Sequence, residues 1–463
     1  MKIPMTPPSI LQLIEEWDTE VFARIVRDRP GPAPDGKYRH WDTLRHLQPP
    51  PPLTSQEWWL AIKLARQASS IDLPLRDRSG QGFRFAPVDV VQQMLMQVDR
   101  NASGRIQAAE QVTDPQTRDT YLLKGLIEEA ITSSQLEGAS TTREVAKDMI
   151  RQGRQPETHS EQMIYNNYQA LQFIRRMGSS PLTPSMVFEL QKILTDRTLE
   201  NPTAAGRFRE ESEKICVMDE QDTILHMPPA ASELPDRMAA MCEFANAQMD
   251  GARFVHPVVK AIVLHFWLAY DHPFVDGNGR TARALFYWSM ASQGYWLCEF
   301  ISISRILKQA PGRYARSFLY TETDDNDVTY FVLAQLRVIL RAIQDLLDHL
   351  EVKQRELRQM RMMIEKSQML RDQLNFRQLA IVRHAMKHPG FLYTIESHRN
   401  SNNISYATAR SDLLKLANVG LLHQRTGPRK LMLFASPADL QQRITRLALA
   451  APVTSPPWES AAT

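Results

Sequence analysis

Apolar residues recur at i, i+3, i+4 and i+7 along most of the chain between residues 117 and 345. The runs TRDTYLLKGLIEEAITSSQLEG, SEQMIYNNYQALQFIRRMG, TPSMVFELQKILTD and HPVVKAIVLHFWLAYDH show this spacing, and each ends near Gly, Pro or Asp. That pattern predicts a succession of amphipathic helices. One stretch breaks the period. In EKICVMDEQDTILHMPP (213–229) the β-prone runs KICVM and TILHM flank the polar DEQD, which predicts a β-hairpin. A lone hairpin among helices has little core of its own, so it reads as a functional flap. Residues 329–374 continue as a long helical stretch, packed or paired. Before the helical body, residues 1–100 are rich in Trp and Pro. There LTSQEWWLAIKLARQA predicts a helix capped by Thr54, with Glu57 three residues on. The four prolines at 49–52 predict a stiff, extended spacer or packing strap, with an SH3-type ligand as the alternative.

Beyond residue 375 the order is helix (RQLAIVRHAMKH), turn, short helix (TIESHRNS), a third helix (SYATARSDLLKLANVG) and two β-prone runs around Thr426-Gly427-Pro428. Ser405 is a natural N-cap for the third helix, and Gly420 follows its end. The expected division is an N-terminal helical region at 1–114, a helical domain at 115–345, a connector at 346–374, a small domain at 375–440 and a partly disordered tail at 441–463. No repeat of 20–50 residues is visible.

With 463 residues, 43% of them hydrophobic and 23% charged, the chain reads as a globular protein of several domains. The start lacks a basic region followed by an apolar run, and no uncharged apolar stretch of about 18 residues occurs, so neither a signal peptide nor a membrane span is expected. Cys216, Cys242 and Cys298 are scattered, which suggests a reducing compartment, and a soluble cytoplasmic protein is expected. The net charge of +3 conceals an asymmetry. Residues 376–434 hold nine Lys or Arg against Glu396 and Asp412, a balance of +7, so the rest of the chain carries 3 − 7 = −4. A basic end on a mildly acidic body points to nucleic acid as a partner of that end.

The densest chemistry is HPFVDGNGRTAR at 272–283. Helical runs lie on both sides, so it is a tight loop feeding a helix start. Two glycines let the backbone turn sharply and a ligand come close. The free N–H groups of a helix start, with its dipole, favour an anion. Asn278 adds an amide donor, Arg280 and Arg283 suit phosphate oxygens, and Asp276 is a hard oxygen ligand of the kind Mg²⁺ takes beside a nucleotide phosphate. His272 can take a proton near neutral pH. Together they describe a polyphosphate at a helix start, one metal and a base.

This run resembles the Fic family signature, H-x-F-x-[D/E]-G-N-G-R-x-x-R, at all eight specified positions. A chance match is rarer than about one in a million for residues used at about 5% each. The resemblance implies a mainly α fold: a Fic-type helical bundle with a β-hairpin flap, followed here by a C-terminal winged helix-turn-helix. It implies Mg²⁺-dependent transfer of AMP from ATP to a Ser, Thr or Tyr hydroxyl of a target protein or of the enzyme itself. In that reading His272 is the general base and Asp276 holds Mg²⁺. Gly277, Asn278 and Gly279 surround the α-phosphate, with Thr281 beside them. Arg280 and Arg283 hold the β- and γ-phosphates, and Phe274 anchors the loop. Gly206-Arg207-Phe208-Arg209 and the hairpin resemble the family's flap, where Ile215, Val217 and Met218 line the nucleotide and pair with a target strand. Tyr314 and the acidic stretch 323–327 fall where the family closes its adenine pocket; a core or surface role is the equal alternative.

SSQLEG at 133–138 fits the family's inhibitory pattern [S/T]-x-x-x-E-[G/N]. It lies N-terminal to the signature, which resembles the second class of the family, inhibited in cis. The implied brake is a bidentate bridge from Glu137 to Arg283, with Ser133 on the same helix face. In the basic end, Tyr406, Thr408, Arg410 and Ser411 would face a DNA groove, and Arg425, Arg429 and Lys430 would sit on a wing. Winged helices also dock proteins. The alternatives to AMP transfer are a DNA-binding regulator whose Fic body senses nucleotide, or a Fic transferase that uses another nucleotide or removes AMP. A homodimer is a further expectation.

Overall fold

A computed structural model describes residues 1–449 apart from 17–18, 29, 103–114, 220, 248–253, 367–373, 388–389, 403, 427–431 and 438. The chain forms two compact units, 1–348 and 349–463. Both are mainly helical.

The first unit begins with the short helices α1 (Ile10–Glu16), α2 (Thr19–Asp28) and α3 (Trp41–Leu44), then α4 (Ser55–Ser69), the hairpin β1 (Ile71–Arg76) and β2 (Gly82–Phe85), and α5 (Asp89–Ala102). The helical body follows: α6 (Pro115–Leu136), α7 (Arg143–Gln152), α8 (His159–Met177) and α9 (Pro184–Leu194). Next come the flap strands β3 (Val217–Met218) and β4 (Ile224–His226), then α10 (Leu234–Asn246), α11 (Pro257–Asp271), α12 (Asn278–Ser292), α13 (Ile303–Gln309), α14 (Pro311–Thr323) and α15 (Thr329–Lys366).

Helix α11 is the axis of the body. Every residue from Val258 to Leu268 is buried, as expected of a helix that is apolar nearly all round. α12 packs along it, and α6, α8 and α9 surround the pair. Aromatic rings lock the far side: Phe266 stacks on Phe318 at 5.3 Å, and Phe318 meets Phe331 at 4.5 Å. Helix α4 begins with the expected capping box, Thr54 with Glu57. The prolines before it depart from the extended spacer expected of them. Leu53 N donates to Pro50 O at 2.9 Å, which closes a turn and delivers a buried Leu53.

Within the acidic stretch 323–327, Asp324 and Asp327 belong to the core, whereas Asp325 is exposed. Lys63 Nζ donates to Asp324 Oδ1 at 2.6 Å, Tyr330 donates to Asp324 Oδ2 at 2.7 Å, and Arg66 Nη1 donates to Tyr330 at 2.7 Å. Tyr38 donates to Asp327, and the Arg66 guanidinium lies 3.6 Å over the Tyr38 ring. Burial alone would raise the Asp324 carboxyl, but Lys63 and Arg66 hold it below its usual range. Of the two sequence alternatives for these carboxylates, the interior one applies, because α4 supplies cations that local sequence does not show.

The second unit contains α16 (Phe376–Lys387), β5 (Leu392–Thr394), α17 (Ile395–Asn402), α18 (Tyr406–Asn418), β6 (His423–Thr426), β7 (Met432–Ala435) and α19 (Leu440–Leu449). Its antiparallel sheet has the order β5-β7-β6, with Phe434 opposite both Tyr393 and Gln424. Val382, Leu413, Leu416, Leu421, Phe434 and Ile444 build a core of its own. Asp412, buried, accepts from Arg377, Asn375 and Gln378 and faces His398, which ties α18 to α16 and α17.

Removing one partner from a buried, hydrogen-bonded ion pair is costly. Asp324→Ala is therefore expected to lower the unfolding free energy of the protein by about 3–5 kcal/mol. Urea denaturation followed by tryptophan fluorescence checks this, and a loss under about 1 kcal/mol would contradict the role given to the pair.

Candidate active site

The site grows from the corner between α11 and α12. α11 ends at Asp271, whose buried carboxylate accepts from Arg237 Nε and Trp267 Nε1. His272 follows in the left-handed region (φ 45°, ψ 55°), an uncommon conformation for a residue with a side chain. Phe274 is fully buried and pins the loop. Gly277 has φ 83°, and a Cβ there would lie 2.9 Å from Thr195 Cγ2, so the turn needs glycine twice over. α12 then starts at Asn278, and the N–H groups of its first turn have no partner within the helix.

His272 Nδ1 lies 3.3 Å from Ala269 O. A carbonyl only accepts, so Nδ1 carries the hydrogen and Nε2 keeps its lone pair. Burial pushes the imidazole pKa down to about 4; the Ala269 bond and Glu137 oppose that shift, while His226 and Arg209 add to it. The ring is thus neutral, an acceptor with a fixed tautomer.

Two groups not given this role in the sequence hold this loop. Arg209 donates from Nε to His272 O at 2.8 Å and from Nη2 to Pro229 O at 2.5 Å, and its backbone N donates to Pro273 O. His226, at the end of β4, places Nδ1 2.7 Å from Glu322 Oε2 and Nε2 2.7 Å from Tyr270 O. The flap is therefore tied at its base to the corner between α11 and α12. On β3, Val217 is half-buried and Met218 is 52% exposed, and the preceding Ile215 is half-buried. Asp219 Oδ1 closes the hairpin turn by accepting from the N–H groups of Gln221 and Thr223.

Helix α6 brings Glu137 onto α12. Arg283 Nη2 donates to Glu137 Oε1 at 2.8 Å; Arg283 Nε donates to Ser133 Oγ at 2.9 Å, and Nη2 also reaches Ser133 O at 3.1 Å. The contact is one bond, not the bidentate bridge expected, because Ser133 takes the other face of the guanidinium. The carboxylate also lies over the start of α12. A Cβ on Gly279 would be 2.2 Å from Glu137 Oε1, so only glycine admits this approach. Glu137 thereby stands at the helix start, where an anion is favoured.

Two turns before Glu137, α6 is anchored by a buried carboxylate on the same face. Glu129 accepts from Tyr287 at 2.9 Å, from Ser302 Oγ at 2.7 Å, from Ser304 N at 3.1 Å and from Ser304 Oγ. Gly125 lets α6 approach the Phe300 backbone, where a Cβ would sit at 2.9 Å. The visible signal was the spacing 129, 133, 137, one helix face inside the apolar run LIEEAITSSQLE.

Three further expectations change. The Asn278 amide is not a spare donor: it bridges Phe274 N (2.9 Å) and Phe274 O (2.8 Å) and so shapes the loop. Thr281 is fully buried, with Oγ1 donating to Gly277 O at 2.8 Å. Arg280 turns inward to Leu194 O and Asp276 Oδ2, both at 2.8 Å, since α9 packs against this turn. Asp276 is half-exposed, and its Oδ1 accepts from Gly277 N. Tyr314 is brought to the site: its hydroxyl lies 2.8 Å from His265 Nε2 and beside the Arg283 guanidinium. No cluster of three or more His, Cys, Asp or Glu fit to hold a metal ion occurs among the described residues. Arg429 and Lys430 lie outside the described residues.

Residues 181–290 match the model of the Fic/DOC family, so the chain carries a Fic domain. Over 85 residues it is 39% identical to the protein adenylyltransferase Fic of Nematostella vectensis, an overlap of 18% of each chain. Over 70 residues it is 36% identical to the protein of the same name from Drosophila willistoni, covering 15% of this chain and 14% of that one. The matched stretch thus spans less than a fifth of these relatives. A Fic family protein from Desulfovibrio desulfuricans G20 shares the fold with a TM-score of 0.50 and 16% identity, over 76% of this chain and 97% of that one.

The half-buried imidazole gives a direct test. Between about pH 6.5 and 4 the unfolded chain takes up a proton at His272 while the folded one does not, so this group costs stability on acidification. NMR titration of the ring, assigned with His272→Ala, is expected to give a midpoint near 4; a value at or above 6 would contradict the burial described.

Proposed function

We propose that the Fic domain is a protein adenylyltransferase held in check by Glu137. The observation that carries this reading is a neutral imidazole with a fixed tautomer beside a helix start that already accommodates a carboxylate. That arrangement suits a base next to an anion site. The names of the relatives supply the nucleotide class.

The chain's residues divide the work. A hydroxyl of the target, presented along β3, gives its proton to His272 Nε2. Its oxygen forms a bond to the α-phosphorus of ATP, and the bond from that phosphorus to the bridging oxygen of pyrophosphate breaks. The first N–H groups of α12, around Gly277, Asn278 and Gly279, face the charge that gathers on the α-phosphate. Arg283, released from Glu137, holds the outer phosphates. Arg280 supports the loop through Leu194 O, and it shares Asp276. Asp276 is a hard oxygen donor, half-exposed, and Mg²⁺ characteristically takes one or two carboxylates plus phosphate oxygens, so this residue fits as the protein ligand of a Mg²⁺–nucleotide. When bound, the metal would neutralise phosphate charge. Tyr314 stands beside Arg283 and helps to hold it.

In the resting state Glu137 occupies both the partner of Arg283 and the ground above Gly279. A triphosphate must displace it to sit correctly. Auto-labelling with α-labelled ATP is accordingly expected to rise at least about tenfold in Glu137→Gly, and to fall about 10²–10⁴-fold when His272→Ala is added. Equal labelling of wild type and Glu137→Gly would overturn the brake. Incubation of Glu137→Gly with each of the four nucleoside triphosphates, followed by intact mass, is expected to show one added AMP with ATP only. The low pKa sets the pH dependence: kcat/KM of Glu137→Gly should stay within about twofold from pH 7.5 to 5.5, whereas a base of pKa about 6.5 would lose about tenfold.

A further inference from the structure

We propose that the second unit binds duplex DNA, with the exposed face of α18 in the major groove. This is independent of the chemistry assigned to the Fic domain. Three observations lead to it. First, the order of elements, helix, strand, two helices and two strands, with the sheet order β5-β7-β6, is that of a winged helix, and the unit has its own core. Second, α18 presents a polar stripe. Tyr406, Arg410, Ser411, Lys415 and Asn418 are exposed, while Ala409, Leu413 and Leu416 are buried. Arg425, on the neighbouring edge strand β6, is exposed as well. Third, the acids that would repel phosphate are already spent. Asp412 turns inward to Arg377, and Glu396 pairs with Arg399. The +7 balance of residues 376–434 is therefore carried by cations outside these two pairs.

Shape and charge select the partner. Thirteen residues at about 1.5 Å each make a rod of about 20 Å, and the B-DNA major groove, about 12 Å wide, admits a helix. Arg410, Lys415 and Arg425 would neutralise phosphates, leaving Tyr406, Ser411 and Asn418 for base edges. Thr408 drops out of the expected reader set, because it is engaged with the Ser405 cap at 2.8 Å. A protein partner would call for an apolar centre, and this stripe offers little beyond the Tyr406 ring and the half-buried Leu414.

The test is fluorescence anisotropy of full-length protein on a labelled DNA duplex of about 24 base pairs and arbitrary sequence. Three neutralised phosphates predict a salt slope of about −2.7, hence about 40-fold weaker binding at about 200 mM salt than at 50 mM. R410A/K415A should bind at least tenfold more weakly at low salt and lose about two units of slope, while keeping the helical circular dichroism of the wild type. An RNA duplex of the same length, whose deep and narrow major groove excludes a helix, should bind at least tenfold more weakly. No binding at 50 mM salt, wild-type binding by R410A/K415A, or equal affinity for the RNA duplex would each overturn the proposal.

Discussion

A carboxylate can approach the start of α12 only because Gly279 has no side chain, and the rest of the site is arranged around that approach. The same geometry would admit a phosphate. In the proposed mechanism Glu137 and a nucleotide compete for one piece of backbone and for one guanidinium, Arg283, which is almost wholly buried. Buried cations need a partner, and here one is always in reach. Ser133 contributes two further bonds to Arg283, independent of the Glu137 carboxylate.

The helix that carries Glu137 is built into the core. Gly125 seats α6 against the Phe300 backbone, Glu129 gathers four donors, and Ser134 donates to Met163 O at 3.1 Å. Pulling the helix away would strand those buried polar groups, each at about 1–3 kcal/mol. Glu137 differs from them: it follows the last helical residue, its side chain is 30% exposed, and Gly138 turns away at φ 95°. Under the proposed inhibition, relief would therefore belong to the Glu137 side chain and its turn, with α6 remaining in place.

Much of this was legible in the chain because the motif residues answer to geometry. Gly277 must adopt positive φ, Phe274 must fill a core, and an amphipathic period marks the helices on both sides. Side-chain direction was less visible. Asn278 and Arg280 look like phosphate donors by type, yet loop closure and α9 claim them first. The acidic stretch 323–327 reads as surface or pocket until α4 supplies Lys63 and Arg66, more than two hundred residues away in sequence. Arg209 was read only as part of the flap and His226 not at all, because their partners are the backbone carbonyls of Tyr270, His272 and Pro229, which carry no sequence identity, and a glutamate, Glu322, far along the chain. Glu129 sat in plain view but was indistinguishable from a solvated glutamate until the hydroxyls of Ser302 and Ser304 were placed around it.

The competition for Arg283 is tested most directly by the affinity it gives the γ-phosphate. Calorimetric titration of ATP and ADP into His272→Ala, with and without Glu137→Gly, separates binding from turnover. A charge-assisted hydrogen bond is worth about 1.5–3 kcal/mol, so without Glu137 the preference for ATP over ADP should widen at least about tenfold. The same ATP-to-ADP ratio in both proteins would show that Glu137 does not hold the γ-phosphate's partner, and would contradict the account.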